Sequence, residues 1–219
     1  MGETVSDRVW LFQWFLQIAG RIQKILGSEY MRIALQHMGN YLGTRIRETP
    51  PVFETIDSFR SYGLERIEKV EDPWNAVLYG VLAADRDYRA SLKRGESGFE
   101  KFAELILEAS LIGKEPFDVS DISEAAQKFY ECLKSIRVDI PTSIQVVDSD
   151  TLNVVVGDCP YKGCCRTVQA ESLFRDDGTP FCWVIKLSCS GILRLSGVPV
   201  DYRLLEFDAP DCRGIIFRA

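Results

Sequence analysis

A single histidine, His37, occurs in 219 residues, and no cysteine precedes Cys132. The first scarcity removes the usual base for a nucleophilic thiol, unless His37 packs back from an early helical stretch onto a distant site. The second confines thiol or metal chemistry to the C-terminal part. A basic tract is also missing: 26 Lys and Arg face 32 Asp and Glu, for a net charge of -6 and a pI near 5.0. Without clustered cations to release counterions, no nucleic-acid partner is expected. The most apolar stretch, Val9 to Ala19, is interrupted by Gln13 and Gln17. It is too short for a hydrocarbon core of about 30 Å, so no membrane span is expected. It also has no basic lead-in or small-residue cleavage site, so a secretory signal is not expected. An odd cysteine count with a vicinal pair fits a reducing cytoplasm. Met1-Gly2-Glu3-Thr4-Val5-Ser6 fits the loose N-myristoylation pattern, whose use depends on the host.

What is present divides by period. At 46% apolar and 26% charged residues the chain reads as globular and long enough to bury a core. Up to Arg137 the apolar residues recur at helical spacing. Asp7 to Leu26 is rich in aromatics, with Trp10, Phe12, Trp14 and Phe15, and stops at Gly27. Ser28 caps a second helix whose stripe is Met31, Ala34, Met38, Leu42 and Ile46. Gly39 and Gly43 give that helix a smooth strip for close packing or for a flat ligand. Pro50-Pro51 is expected to start a short helix that stops at Gly63, and Asp72-Pro73 to open another through Trp74, Val77, Leu78, Val81 and Leu82. Ser97 and Glu100 form a capping box for a helix closed by Gly113. Asp121 and Glu124 begin one buried through Ala125, Phe129, Leu133 and Ile136, with Cys132 beside the stripe as a small core residue.

After Ile140-Pro141 the period falls to two. Ile144–Val147 and Leu152–Val156, joined across Asp148-Ser149-Asp150, read as one β-hairpin, and Val200–Phe207 with Gly214–Arg218 as another. Pro160–Leu173 and Pro180–Ser196 read as helices separated by the turn Asp176-Asp177-Gly178. The expected fold class is α+β: an N-terminal helical part, then two hairpins forming an antiparallel sheet with helices packed on it. The expected division is residues 1–48, for dimerisation, and 49–219, for ligand binding, with a Cys-rich part at 140–219.

Geometry prunes the six late cysteines. Cys182 and Cys189 share a helix face but stand roughly 10 Å apart along it. A zinc ion bound to sulfur at about 2.3 Å cannot take both. Adjacent Cys164 and Cys165 point about 100° apart, so at most one joins a site. Cys182 and Cys159 lie at helix starts, where backbone N–H groups favour a thiolate. Cys212 sits in the last hairpin connection, with Glu206 closing the strand before it.

The order of these parts resembles the 4-vinyl-reductase-like, hydrocarbon-binding domain family. The likeness is carried by Cys182-Trp183-Val184 through Gly191, by Leu205 through Phe217, and by the early Gly-containing helix Leu35–Ile46. That resemblance implies N-terminal helices that dimerise and a zinc held by Cys182, Glu206 and Cys212 beside a pocket for a small apolar ligand. The family's cysteine three residues after the glutamate is absent, because Ala209 stands there; Cys159 is the added fourth ligand of the expected set. A related resemblance is to L-2-amino-thiazoline-4-carboxylic acid hydrolase-like proteins, which show a Cys-Pro pair like Cys159-Pro160.

Two functions therefore stand side by side. One is a binding or sensory domain with a structural zinc, its ligand among rings such as Trp10, Trp14, Trp74, Phe99, Phe102, Phe129 and Tyr130. The other is a hydrolase using zinc-bound water or a thiolate such as Cys159, with Glu206 as a base. An iron–sulfur cluster is a third use of four thiolates, although the usual short spacings are missing. The aromatic first helix carries more apolar surface than one short helix hides, so a homodimer through residues 7–46 is expected.

Overall fold

The computed structural model describes residues 5–70, 72–88, 98–109, 119, 121–135, 140, 142–171, 180–207 and 211–219. The chain divides into two compact units, Met1–Phe102 and Ala103–Ala219. The expected boundary at residue 48 falls inside the first unit, where residues on both sides of it share one core.

In the first unit, α1 (Val5–Leu26) and α2 (Ser28–Ile46) pack with α3 (Ile56–Leu64) and α4 (Trp74–Tyr88). The aromatic wealth of α1 is used internally: Phe12, Phe15, Leu16, Ile18, Ala19 and Ile22 are all buried. Phe15 meets Phe102, at the start of α5 (Gly98–Ala109), with ring centroids 5.2 Å apart. Trp10 remains 40% exposed and stacks on Trp14, one helical turn away. The smooth strip on α2 receives an extended segment: a Cβ on Gly39 would strike the Phe53 ring, and one on Gly43 would lie 2.8 Å from Pro50 Cδ. Pro50-Pro51 accordingly stays extended, and the third helix begins later than expected. Its start is set by Thr55, whose Oγ1 accepts from Ser58 N–H at 3.1 Å, while Ser58 Oγ accepts from Thr55 N–H at 3.3 Å. Asp72-Pro73 opens α4 as expected, through Asn75 N–H to Asp72 O at 3.0 Å. His37 is tied to α4 by a 2.7 Å contact between Nε2 and Asp87 Oδ2. Ser97 and Gly113, the expected ends of α5, and the Phe99 side chain lie outside the described residues.

The second unit is an α+β layer. A four-stranded antiparallel sheet has the order β1-β2-β4-β3, from β1 (Thr142–Asp148), β2 (Thr151–Gly157), β3 (Val200–Glu206) and β4 (Asp211–Arg218). Each expected hairpin forms, and the two meet through β2 and β4. Period-two alternation puts Leu152, Val154, Val156, Tyr202, Leu204 and Ile216 on the buried face. Against that face lie α6 (Ile122–Ser135) and α8 (Trp183–Ser196), which also pack on each other. Asp121 caps α6, its Oδ1 accepting from Ser123 N–H at 2.6 Å and Glu124 N–H at 3.1 Å. Ala125, Phe129 and Leu133 are buried as the stripe requires, and Cys132 is fully enclosed; Ile136 lies outside the described residues. Gly214 lets α8 approach β4, because a Cβ there would stand 2.8 Å from Ile185 Cδ1 and 2.9 Å from Arg203 O.

Two boundaries differ from the expectation for a local reason. The helix expected from Pro160 is α7 (Lys162–Ala170), and the one expected from Pro180 starts at Trp183. In both places the residues after proline first complete a turn or an extended step, and Cys182 has φ -121° and ψ 114°, outside the helical region. The turn Asp176-Asp177-Gly178 lies outside the described residues. Among the described residues, no helix is long and apolar enough to cross a membrane.

Candidate thiol site

Four cysteines reach one end of the sheet from four segments. Cys212 faces inward from the first turn of β4, opposite Val156 of β2. One pair further on, Gly157 stands opposite Asp211, and the chain then turns sharply at Asp158, which has φ 41°. This left-handed residue ends the strand, and Cys159 follows it, 9% exposed. Cys165 lies in the first turn of α7 and is 5% exposed; Cys182 is the N-cap residue of α8 and 3% exposed.

The helix starts are fixed independently of the sulfurs. Tyr161, before α7, packs on Trp183, the first residue of α8, with ring centroids 4.7 Å apart. The N–H of Cys182 donates to Tyr202 Oη over 3.2 Å, which ties α8 to β3. Further along α8, Ser188 Oγ donates to Val184 O at 2.8 Å and lies 2.6 Å from the Tyr130 hydroxyl, so the fully buried serine is satisfied and locks α8 to α6.

Cys159 and Cys212 lie close enough to influence the thiols of Cys165 and Cys182 electrostatically. Burial pushes the Cys165 thiol up to about 12; the backbone N–H of Trp183 works against it, and the Cys159 and Cys212 thiols add to the rise. Cys182 is raised well above its ordinary value, first by burial and then by Cys165, with Cys159 and Cys212 contributing. The helix-start argument holds in sign, because Ile185 N–H favours the Cys182 thiolate. It loses in magnitude, since the thiol makes no capping hydrogen bond and desolvation dominates. None of the seven cysteines is in a disulfide, and all are buried. Among the described residues, which include Cys159, Cys165, Cys182 and Cys212, no group of three or more Cys, His, Asp or Glu side chains is placed so that it could hold a metal ion.

Of the expected ligand set, Cys159 and Cys212 lie within electrostatic reach of Cys182, while Glu206 is engaged on the sheet. Glu206 pairs with Arg213 in the β3–β4 register, on the face opposite the inward Cys212. Its carboxylate lies 3.4 Å from Arg213 Nε, and both side chains are about half exposed. Cys165 lies within electrostatic reach of Cys159 and Cys212. Adjacency in sequence limited the pair Cys164 and Cys165 to one member of a site, but only the rotation of α7 about its axis selects which. Asp158 and Tyr202, which position the group, carried no such signal, since neither a left-handed strand end nor a cross-element acceptor has a local pattern.

A separate open groove of about 540 Å³ lies in the first unit. Pro51, Val52, Phe53 and Tyr62 form its apolar wall, and Arg66 lies over the Tyr62 ring at 3.9 Å while pairing with Glu48 at 2.8 Å. Of the rings expected to line a cavity, Trp74 and Phe102 are buried in the first unit and Phe129 in the second. Comparison of the chain with protein-family models, with curated proteins and with solved structures finds no match.

Proposed function

We propose that this chain is a small-molecule-binding module whose second unit is stapled by a structural zinc held by Cys159, Cys165, Cys182 and Cys212. The observation that carries this reading is the convergence of four buried cysteines from four segments, with Cys159 and Cys212 both within electrostatic reach of Cys165 and Cys182. By chemistry the donor set suits the ion, since sulfur ligands suit zinc and four of them close its coordination sphere; as placed they form no metal-holding group, so binding requires the four sulfurs to be drawn together. Zinc would supply binding energy that holds β4 to the starts of α7 and α8, because thiolates displaced from water are stabilised by a dication. Burial keeps Cys165 and Cys182 protonated near neutral pH, which speaks against either of these two as a nucleophile, since the thiolate is the reactive form. For the ligand, the groove at Phe53 and Tyr62 has the size of small-molecule sites, about 300–1,000 Å³, and an apolar wall.

The test is metal analysis of reduced, zinc-supplemented protein, with thermal unfolding of each variant. Cys159→Ser, Cys165→Ser, Cys182→Ser and Cys212→Ser each lower zinc content and stability, whereas Cys164→Ser, Cys189→Ser and Glu206→Gln retain one zinc per chain. Absence of zinc from the unsubstituted protein, or its retention in all four variants, overturns the proposal. Loss of zinc on Glu206→Gln returns the glutamate to the ligand set.

A further inference from the structure

In the groove of the first unit, Arg66 is fixed from several sides. Its Nε donates to Glu48 Oε2 at 2.8 Å, and its Nη1 donates to Tyr62 O at 3.2 Å and to Glu65 Oε2 at 3.0 Å. The guanidinium lies over the Tyr62 ring at 3.9 Å, and the side chain is only 22% exposed. Nη2 is the nitrogen of this group that donates to no protein atom among the described residues. A flat cation with one amino group unspent is thus held in place before any ligand arrives. On the α3 side, Ser61 Oγ donates to Asp57 O at 3.1 Å, so toward the groove it offers lone pairs only. The charge is met as well, because Glu48 and Glu65 flank Arg66, while Lys69 Nζ reaches Glu48 Oε1 at 3.3 Å. A carboxylate or phosphate therefore fits poorly. Bidentate capture takes two N–H groups from one edge of the guanidinium, Nε with Nη2 or Nη1 with Nη2, and a glutamate already holds one nitrogen of each edge.

We propose, on the reading of this groove as the ligand site, that it takes an uncharged planar ring bearing a carbonyl and an N–H, the chemistry of an aromatic amide or lactam. The ring lies against the wall of Pro51, Val52 and Phe53, where Val52 is 71% exposed. Its carbonyl accepts from Arg66 Nη2, and its N–H donates to Ser61 Oγ. One acceptor and one donor match what the site has left to offer, whereas a ring without them strips water from both groups and returns nothing. An anionic ring would meet like charge at Glu48 and Glu65.

The experiment is an amide NMR titration of the full chain with three probes, benzamide, benzoate and toluene. Benzamide is expected to shift the amides of Thr49, Val52, Ser61 and Arg66, with a Kd at least about fivefold below those of the other two probes. Glu65→Gln, at a side chain 71% exposed, removes one charge and keeps the shape. It should tighten benzoate about fivefold, the effect of about 1 kcal/mol for a charge a few ångströms away in water, and leave benzamide within about twofold. Arg66→Lys keeps the charge but loses the plane, and should erase the preference for benzamide. Benzoate bound more tightly than benzamide, or toluene bound equally well, overturns the ligand class and leaves the groove as a ligand site. A preference for benzamide that survives Arg66→Lys also overturns it. Shifts from none of the three probes overturn both this class and the reading of the groove as a ligand site.

Discussion

The N–H of Cys182 is held by the phenol oxygen of Tyr202, 20 positions later in sequence and 3.2 Å away. One end of this bond is the residue that starts α8, and the other is an inward side chain of β3, so the bond sets how the helix start meets the sheet. The donor is buried, and no other strand or helix ladder claims it. Tyr202→Phe keeps the ring and removes the acceptor. The expected loss is about 1–3 kcal/mol in urea unfolding, the cost of leaving a buried donor unpaired. A change well below 0.5 kcal/mol would mean that water replaces the phenol.

Asp158 is the second lever on the same group of sulfurs. Its φ of 41° suits glycine and is tolerated by aspartate, but a β-branched side chain there clashes with its own backbone. Asp158→Gly should fold and match the unsubstituted chain in zinc content. Asp158→Val should lose about 1–2 kcal/mol and bind zinc more weakly, because the turn that delivers Cys159 opens. Equal metal content in the two variants, measured at equal protein concentration, would detach the turn from the site.

These two residues also mark how far the sequence reaches. The change of period near residue 140 disclosed the helical part, both hairpins and the antiparallel sheet, because burial of alternate or stripe positions is a local property. Capping at Asp121 was legible for the same reason, while Pro50-Pro51 misled, since Thr55 with Ser58 makes the stronger helix start. The site was half legible. Helical rise separated Cys182 from Cys189, and hairpin order brought Cys212 toward the helix starts. The proposed set replaces Glu206 with Cys165, and both choices depend on which way a side chain faces. For Glu206 the β3–β4 register decides this, through its partner Arg213; for Cys165 the packing of α7 does.

Gly214 tests the packing of α8 on the sheet. An added methyl would stand 2.9 Å from Arg203 O, a backbone atom that cannot swing aside, and 2.8 Å from Ile185 Cδ1, which can. Gly214→Ala should therefore cost about 1–3 kcal/mol, as overpacking usually does. The double variant Gly214→Ala with Ile185→Val should recover only the part due to the side-chain contact. Complete recovery would show that the carbonyl is not the limiting neighbour.

Alkaline pH distinguishes the metal-free from the metal-loaded protein. Burial raises Cys165 from 9.0 to about 12 and moves Cys182 in the same direction. Between these limits the folded chain keeps protons that the unfolded chain has released, so the folded state binds more protons. Stability must then fall as pH rises. Stripped of metal, the protein should be insensitive to pH below about 8 and lose stability above about 9, with a slope of about 1.4 kcal/mol per pH unit for each such thiol. With zinc bound the thiolates already exist, so the alkaline loss should disappear and a loss on acidification should replace it, as protons displace the ion. Urea unfolding from pH 5 to 10, with and without a chelator, reads both limbs. Identical profiles under the two conditions would rule out thiolate ligation in this unit.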